Sequence, residues 1–415
     1  MTPEIKHRIE QIRRGEVPEG YVKTALGLAP ANWKRYTFGD IYTERKEPGD
    51  ENLPLLMVSI HSGVSDGEVD AAELPKQVKR IEDKSQYKKA VSGDLVFNMM
   101  RAWQGAIGTV RTTGMVSPAY IVAEPNDKAY PLFMDYYSRT PQMINQIDRQ
   151  SYGVTDFRKR LYWDSFAPIS CTLPPIEEQQ KIAAILTTQD RVIELKEKCL
   201  AEKQRQKKYL MQQLLTGKKR LPGFNGAWKT DCLGKLFFER KETNCENIEM
   251  LAITGTQGII PRKELDLKDN SSEDKSKYLR VCVGDIGYNT MRMWQGVSAY
   301  SNYEGIVSPA YTILKPSSSI NAKYFAYLFK MSEIVFLFYR FSQGLVDDTR
   351  NLKYESFKKI KVCYPPDIKE QTAIAEVLSA ADREIELLQQ DIEQEKQKEK
   401  ALMQLLLTGI VRVKI

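Results

Sequence analysis

Histidine is almost absent from this chain. Two residues, His7 and His61, are all that 415 positions contain, and neither recurs in the internal repeat described below. That argues against histidine-based acid–base catalysis and against a zinc site, and both residues read as surface or turn positions. The six cysteines (Cys171, Cys199, Cys232, Cys245, Cys282, Cys363) form no CxxC pair and no regular spacing. They read as reduced, mostly packed thiols of a cytosolic protein. No apolar run approaches the length of a membrane span, and Met1–Lys6 carries no apolar signal core, so a cytoplasmic protein is expected. No phosphate-binding P-loop and no G-x-G-x-x-G fingerprint occurs. Glu82-Asp83-Lys84 and Glu273-Asp274-Lys275 match part of a nuclease motif, but the only Pro-Asp pair, Pro366-Asp367, lies downstream of both. Tyr364-Pro365-Pro366 matches part of an amino-methyltransferase tetrapeptide without its leading Asn or Asp, and suits a strand end before a helix start. No metal and no catalytic residue is expected in this chain.

What the chain does have is a duplication. Gly93–Tyr120 aligns without a gap on Gly284–Tyr311, and fourteen of the twenty-eight positions are identical. The shared residues include Gly93-Asp94 and Gly284-Asp285, Trp103-Gln104-Gly105 and Trp294-Gln295-Gly296, and the run Val116–Tyr120, repeated whole at Val307–Tyr311. The match extends outward through Trp33/Trp228, Gly39/Gly234, Ser151/Ser342, Gly153/Gly344, Asp156/Asp347, Phe166/Phe357, Gln179/Gln371 and Leu214–Gly217/Leu406–Gly409. Ile5–Gly15 followed by Val17-Pro18 is similar to the end of the central helix and its Leu221-Pro222. The order is therefore circular: helix end, globule, helix, globule, helix. A mild net charge of +7 permits a polyanionic partner without requiring one.

The boundaries fall as a short N-terminal helix at 1–24, globules at 25–174 and 218–364, and long helices at 175–217 and 365–415. In the globules, Leu55–Val58, Leu95–Phe97 and Val116–Val122 read as strands, and Leu132–Arg139 and Ala322–Lys330 as helices, which makes each an α/β globule of mixed topology. Asp367 three residues before Glu370 marks a helix start. From there Leu378, Ile385, Leu388, Ile392, Leu402 and Leu406 form an apolar seam, and Leu186, Ile193, Leu200, Leu210 and Leu214 form its counterpart. Gln189, Lys196, Lys203 and Lys207 interrupt one seam, Glu395 and Glu399 the other. Gly217 and Gly409 suit the left-handed position past a helix end. Each helix, about 40 residues long, would measure roughly 60 Å. A narrow seam needs a partner, either the other helix of the repeat or a second chain. The first choice gives an α+β fold with two globules in pseudo-twofold tandem repeat, separated by a long antiparallel two-helix coiled coil.

The paired globules, the segment Leu173–Ile182 (Leu-Pro-Pro-Ile-Glu-Glu-Gln-Gln-Lys-Ile) and the twice-used Leu-Leu-Thr-Gly helix end resemble the specificity subunits of type I restriction-modification enzymes. The resemblance covers essentially the whole chain. It implies that the globules are target recognition domains, each reading half of a split double-stranded DNA site. It also implies that the helices set the gap and dock two methylation subunits, which carry S-adenosylmethionine, and that motor-nuclease restriction subunits join for cleavage. A methylation-only or type II-like complex would use the same kind of subunit.

Two sets of residues are candidates for touching DNA. Arg101 and Arg292 have the fork that reads guanine, and Gln104 and Gln295 the amide that reads adenine. Their identity in both copies argues for what the copies share, fold or phosphate contact, since two different half-sites need different readers. The sharper set is where matched frames diverge. Tyr152–Arg160, with Arg158, Lys159 and Arg160, stands opposite Gln343–Asn351, with Arg350. His61–Asp66 and Thr256–Pro261 form a weaker divergent pair.

Overall fold

The computed structural model describes residues 3–24, 27–50, 52–60, 62–65, 86–155, 158–245, 248–255, 257–265, 274–346 and 349–414. The expected positions His61, Asp66, Glu82-Asp83-Lys84, Asp156, Thr256, Glu273 and Asp347 lie outside them. The chain forms two compact units, Met1–Leu195 with Ile392–Ile415, and Lys196–Asp391.

Each unit is built on a four-stranded antiparallel sheet. In the first unit the order is Tyr42–Glu44, Tyr120–Pro125, Leu95–Asn98, Ile107–Thr109; in the second it is Phe237–Glu239, Tyr311–Pro316, Ile286–Asn289, Ser298–Tyr300. Both faces of this sheet are covered. Leu95, Phe97, Ile121 and Ala123 face the larger apolar cluster, while Val96 and Val122 face a smaller one. A strand buried on both sides needs no polar alternation, which is why Leu95–Phe97 is a plain apolar run. Antiparallel two-stranded sheets flank it, Lys34–Thr37 with Ser170–Leu173 and Lys229–Cys232 with Lys361–Tyr364. Every named ladder is antiparallel, the α+β arrangement rather than strand–helix alternation.

The expected strand at Leu55–Val58 is shorter than its apolar run: only Val58–Ser59 is strand, and Leu55 makes a single bridge to Met115. Val116–Val122 is two strands, Gly114–Val116 and Tyr120–Pro125, because the Tyr120 N–H bonds the Ser117 carbonyl and turns the chain between them. The helices Pro131–Tyr137 and Ala322–Leu328 pack on the sheets, each followed by a ten-residue helix, Pro141–Gln150 and Ser332–Phe341.

The long helices run Ile176–Leu214 and Ile368–Leu407. Gly217 and Gly409, just past their ends, sit at φ of 70° and 72°. Within each unit the segments of the two helices lie antiparallel, and the polar residues that interrupt one seam pair with polar residues of the other helix. In the first unit Gln189 Nε2 donates to Glu395 Oε2 at 2.7 Å. In the second, Lys196 pairs with Asp391 at 2.8 Å, Lys203 with Glu384 at 2.7 Å, and Lys207 with Asp382. Leu186, Leu214, Leu378 and Leu406 are buried at the globular ends of the seams, and so are Ile193 and Ile392. Leu200, Leu210, Ile385, Leu388 and Leu402 are half-buried, as two helices covering only one flank of each other leave them.

Candidate nucleic-acid interface

The identical block is a rigid corner. Asn98 Oδ1 accepts the Met100 N–H at 2.9 Å, and the chain then makes a single 3-10 turn, Ala102–Gln104. The turn closes on Gly105 at φ 104°, a conformation other residues rarely adopt. Trp103 Nε1 donates to the Met100 carbonyl at 3.0 Å. The second unit repeats every element: Asn289 to Met291 at 3.0 Å, the turn Met293–Gln295, Gly296 at φ 80°, and Trp294 Nε1 to the Met291 carbonyl at 3.0 Å. Arg101, Gln104, Arg292 and Gln295 project from these corners and are exposed. The other identical positions are frame as well. Asp94 takes the Val91 N–H and the Arg45 guanidinium, each at 2.8 Å, and Asp285 does the same with Cys282 and Arg240, each at 2.8 Å. Burial keeps the Asp94 carboxyl above the ordinary aspartate range although Arg45 pairs with it.

The divergent segments are hairpins of one design. Tyr152 and Arg160 exchange backbone bonds of 3.1 and 2.9 Å; Gln343 and Asn351 exchange two of 2.8 Å. A Cβ on Gly153 would run into the Arg158 carbonyl, and one on Gly344 would lie 2.7 Å from the Arg350 nitrogen, so both turns require glycine. Beyond each hairpin the chain bonds back to the corner, Leu161 N–H to the Met99 carbonyl at 2.9 Å and Leu352 N–H to the Thr290 carbonyl at 2.8 Å. Shared corner and divergent hairpin are thus joined on the same side of each unit, which sequence separation alone does not reveal.

The individual side chains divide into three kinds. Arg158 is exposed, and so are Tyr152, its ring tilted against Tyr162 at 5.8 Å, and Gln343. Arg160 is half-buried and donates to the Lys159 carbonyl at 2.9 Å. Lys159, Arg350 and Asn351 are committed to the protein. Lys159 pairs with Asp148 at 2.7 Å and lies 4.9 Å over the Trp103 ring. Arg350 stacks 4.1 Å over Tyr339 and donates to its hydroxyl at 2.9 Å, and Tyr339 in turn packs edge-on against Trp294 at 6.1 Å. Asn351 Nδ2 makes a long 3.5 Å bond to the Thr349 carbonyl.

Sequence reasoning missed a pair of clasps that explain the helix-start motif. Glu178, fully buried, takes two bonds from Arg412 at 2.6 and 2.7 Å and one from Trp33 Nε1 at 3.3 Å. Glu370 takes two from Arg220 at 2.5 and 2.8 Å, and Arg220 lies 5.7 Å over the Trp228 ring. Gln179 beside it bonds the Lys128 and Pro174 carbonyls and the Tyr130 N–H; Gln371 bonds the Pro365 carbonyl and the Asn321 N–H. The carboxylate holds the arginine that follows the other helix's Leu-Leu-Thr-Gly end, and the amide fixes the helix to its globule. The chain ends meet in the first unit too, Tyr21 Oη donating to the Gly409 carbonyl at 2.6 Å and Arg8 to the Ile410 carbonyl at 3.0 Å.

Among the described residues no group of His, Cys, Asp and Glu could hold a metal, and no helix is long and apolar enough to cross a membrane. Two mixed helix–sheet units sharing a pair of long helices define a class already known from solved structures. The S subunit of a type I restriction-modification system from M. genitalium is similar to this chain with a TM-score of 0.55 and 12% identity, over 92% of this chain and 97% of that one. The chain belongs to the type I restriction modification DNA specificity domain family, whose model matches it twice, at residues 72–205 and 234–396. Two relatives come from Methanocaldococcus jannaschii. A protein provisionally assigned as the MjaX type I restriction enzyme specificity subunit is 23% identical, over 95% of this chain and 97% of its own length. The MjaVIII type I restriction enzyme specificity subunit is 25% identical, over 80% of this chain and 83% of its own.

Proposed function

We propose that this chain is the non-catalytic subunit that gives a restriction-modification complex its DNA sequence, each unit reading one half of a bipartite double-stranded site. The observation that carries the reading is the hairpin pair. One backbone design, anchored on one kind of corner, presents Tyr152, Arg158 and Arg160 in one unit and Gln343 and Leu345 in the other. A shared frame with different side chains is what reading two different half-sites requires. The exposed Arg101 and Arg292, common to both, suit phosphate contact that positions each unit on the duplex. The long helices set the distance between half-sites and carry two methylation subunits, which supply S-adenosylmethionine and the methyl transfer; motor-nuclease subunits complete a restriction complex. The test is methylome sequencing of cells expressing the chain with its methylation subunits. A bipartite adenine-methylated motif is expected. Removing one heptad from each long helix should shorten its unspecified gap and leave both half-sites unchanged. An active deletion variant with the original gap would refute the ruler role.

A further inference from the structure

Both hairpins carry aliphatic side chains that face solvent just after their glycines. Val154 is 90% exposed, Leu345 99% and Val346 59%. Val154 and Leu345 are matched positions, each directly after the glycine that the hairpin geometry requires. Around them the segment diverges in charge and polarity, yet the position after the glycine stays a branched aliphatic. A single exposed leucine means little. One that recurs at a matched position of a hairpin bonded at its base to an arginine-bearing corner fits a partner that offers negative charge around a small apolar group. On the base edges of duplex DNA that apolar group is the C5 methyl of thymine, displayed in the major groove, which a two-stranded ribbon can enter.

We propose that the exposed aliphatic residues of the hairpins read thymine methyl groups in the major groove, Val154 in one half-site and Leu345 with Val346 in the other. The inference rests on the DNA-reading function above and adds the base feature that is read. Its test uses the full chain in complex with its methylation subunits and duplexes carrying the mapped motif. Each thymine is replaced in turn by uracil, which removes only the methyl. Binding should weaken about fourfold at one or more positions in each half-site, the factor one buried methyl-sized group is worth. Leu345→Ala should erase the uracil penalty in one half-site and Val154→Ala in the other; both side chains are exposed, so neither change disturbs the fold. Equal binding of thymine and uracil duplexes at every position overturns the proposal, as does a half-site without thymine or a penalty that survives both substitutions. Failure to prefer the motif over a scrambled duplex is a different result, since it removes the DNA reading itself.

Discussion

The two units solve the same construction problem with different charges. Where the long helix meets the globule, Tyr136 donates its hydroxyl to Asp190 at 2.5 Å, and Tyr327 donates to Asp382 at 2.7 Å. The seam position beside each aspartate differs in sign. The second unit places Lys207 there, ion-paired with Asp382. The first places Glu399, whose carboxyl is pushed upward by burial and by the neighbouring Asp190. The hairpins differ in the same spirit: Arg158 is exposed in one unit, whereas the matched Thr349 carries no charge and the adjacent Arg350 is laid over Tyr339. What stays constant is the geometry of corners, clasps and turns. What varies is the charge presented on them.

The sharpest way to break this comparison is to cut the clasps. Arg412→Ala leaves the Glu178 carboxylate buried without its partner, and Arg220→Ala does the same to Glu370. Each should cost about 3–5 kcal/mol of stability, measured by chemical denaturation. Equal losses support a shared frame, while a clear inequality would show that the two clasps are not equivalent.

Next in size is the contrast between hairpin arginines. Arg158→Ala should weaken binding to the cognate duplex by about 1–3 kcal/mol if the side chain meets a base edge; a phosphate contact would instead lower the salt slope by about one. Arg350→Ala should loosen the Tyr339–Trp294 packing and cost stability as well as affinity. Fluorescence titrations across salt concentrations, paired with thermal melts, separate the two patterns. An Arg158 variant with wild-type affinity and slope would take that residue out of the interface.

The smallest effect belongs to the seam. A glutamate whose folded-state pKa is raised holds its proton longer in the native state. Its stabilising contribution is complete below the unfolded value near 4.3 and is lost as pH rises through the folded value. Glu399→Gln should therefore flatten the decline in stability above pH of about 4 and leave the protein slightly more stable at neutral pH. Denaturation midpoints compared across that pH range would show it; parallel curves for the two proteins would rule it out.

Much of the architecture is legible in the sequence because it depends on local rules. Gly105 and Gly296 recur because their turns need positive φ, and Gly217 and Gly409 because helices end there. The apolar seam marks both long helices, which run Ile176–Leu214 and Ile368–Leu407, the second ending well before residue 415 because the chain leaves the helix at Gly409. Non-local chemistry is what stays hidden. Lys196, Lys203 and Lys207 look like defects in a seam until the antiparallel register sets acids opposite them. Lys159 looks like a free cation in the chain, and only folding brings Asp148 and Trp103 to it. Glu178 and Arg412 stand 234 residues apart in the sequence, with no local signal that they pair. The run Leu55–Val58 has strand composition but only a short partner, so most of it is not strand.

If sequence preference resides in the divergent hairpins and not in the frame, moving a hairpin moves the preference. The direct measurement is a hairpin exchange: residues 152–160 replaced by the sequence of 343–351, expressed with the methylation subunits, and the methylated motif mapped genome-wide. One half-site should change while the other half-site and the gap stay as they are. An active exchange variant that methylates the original motif would contradict the account.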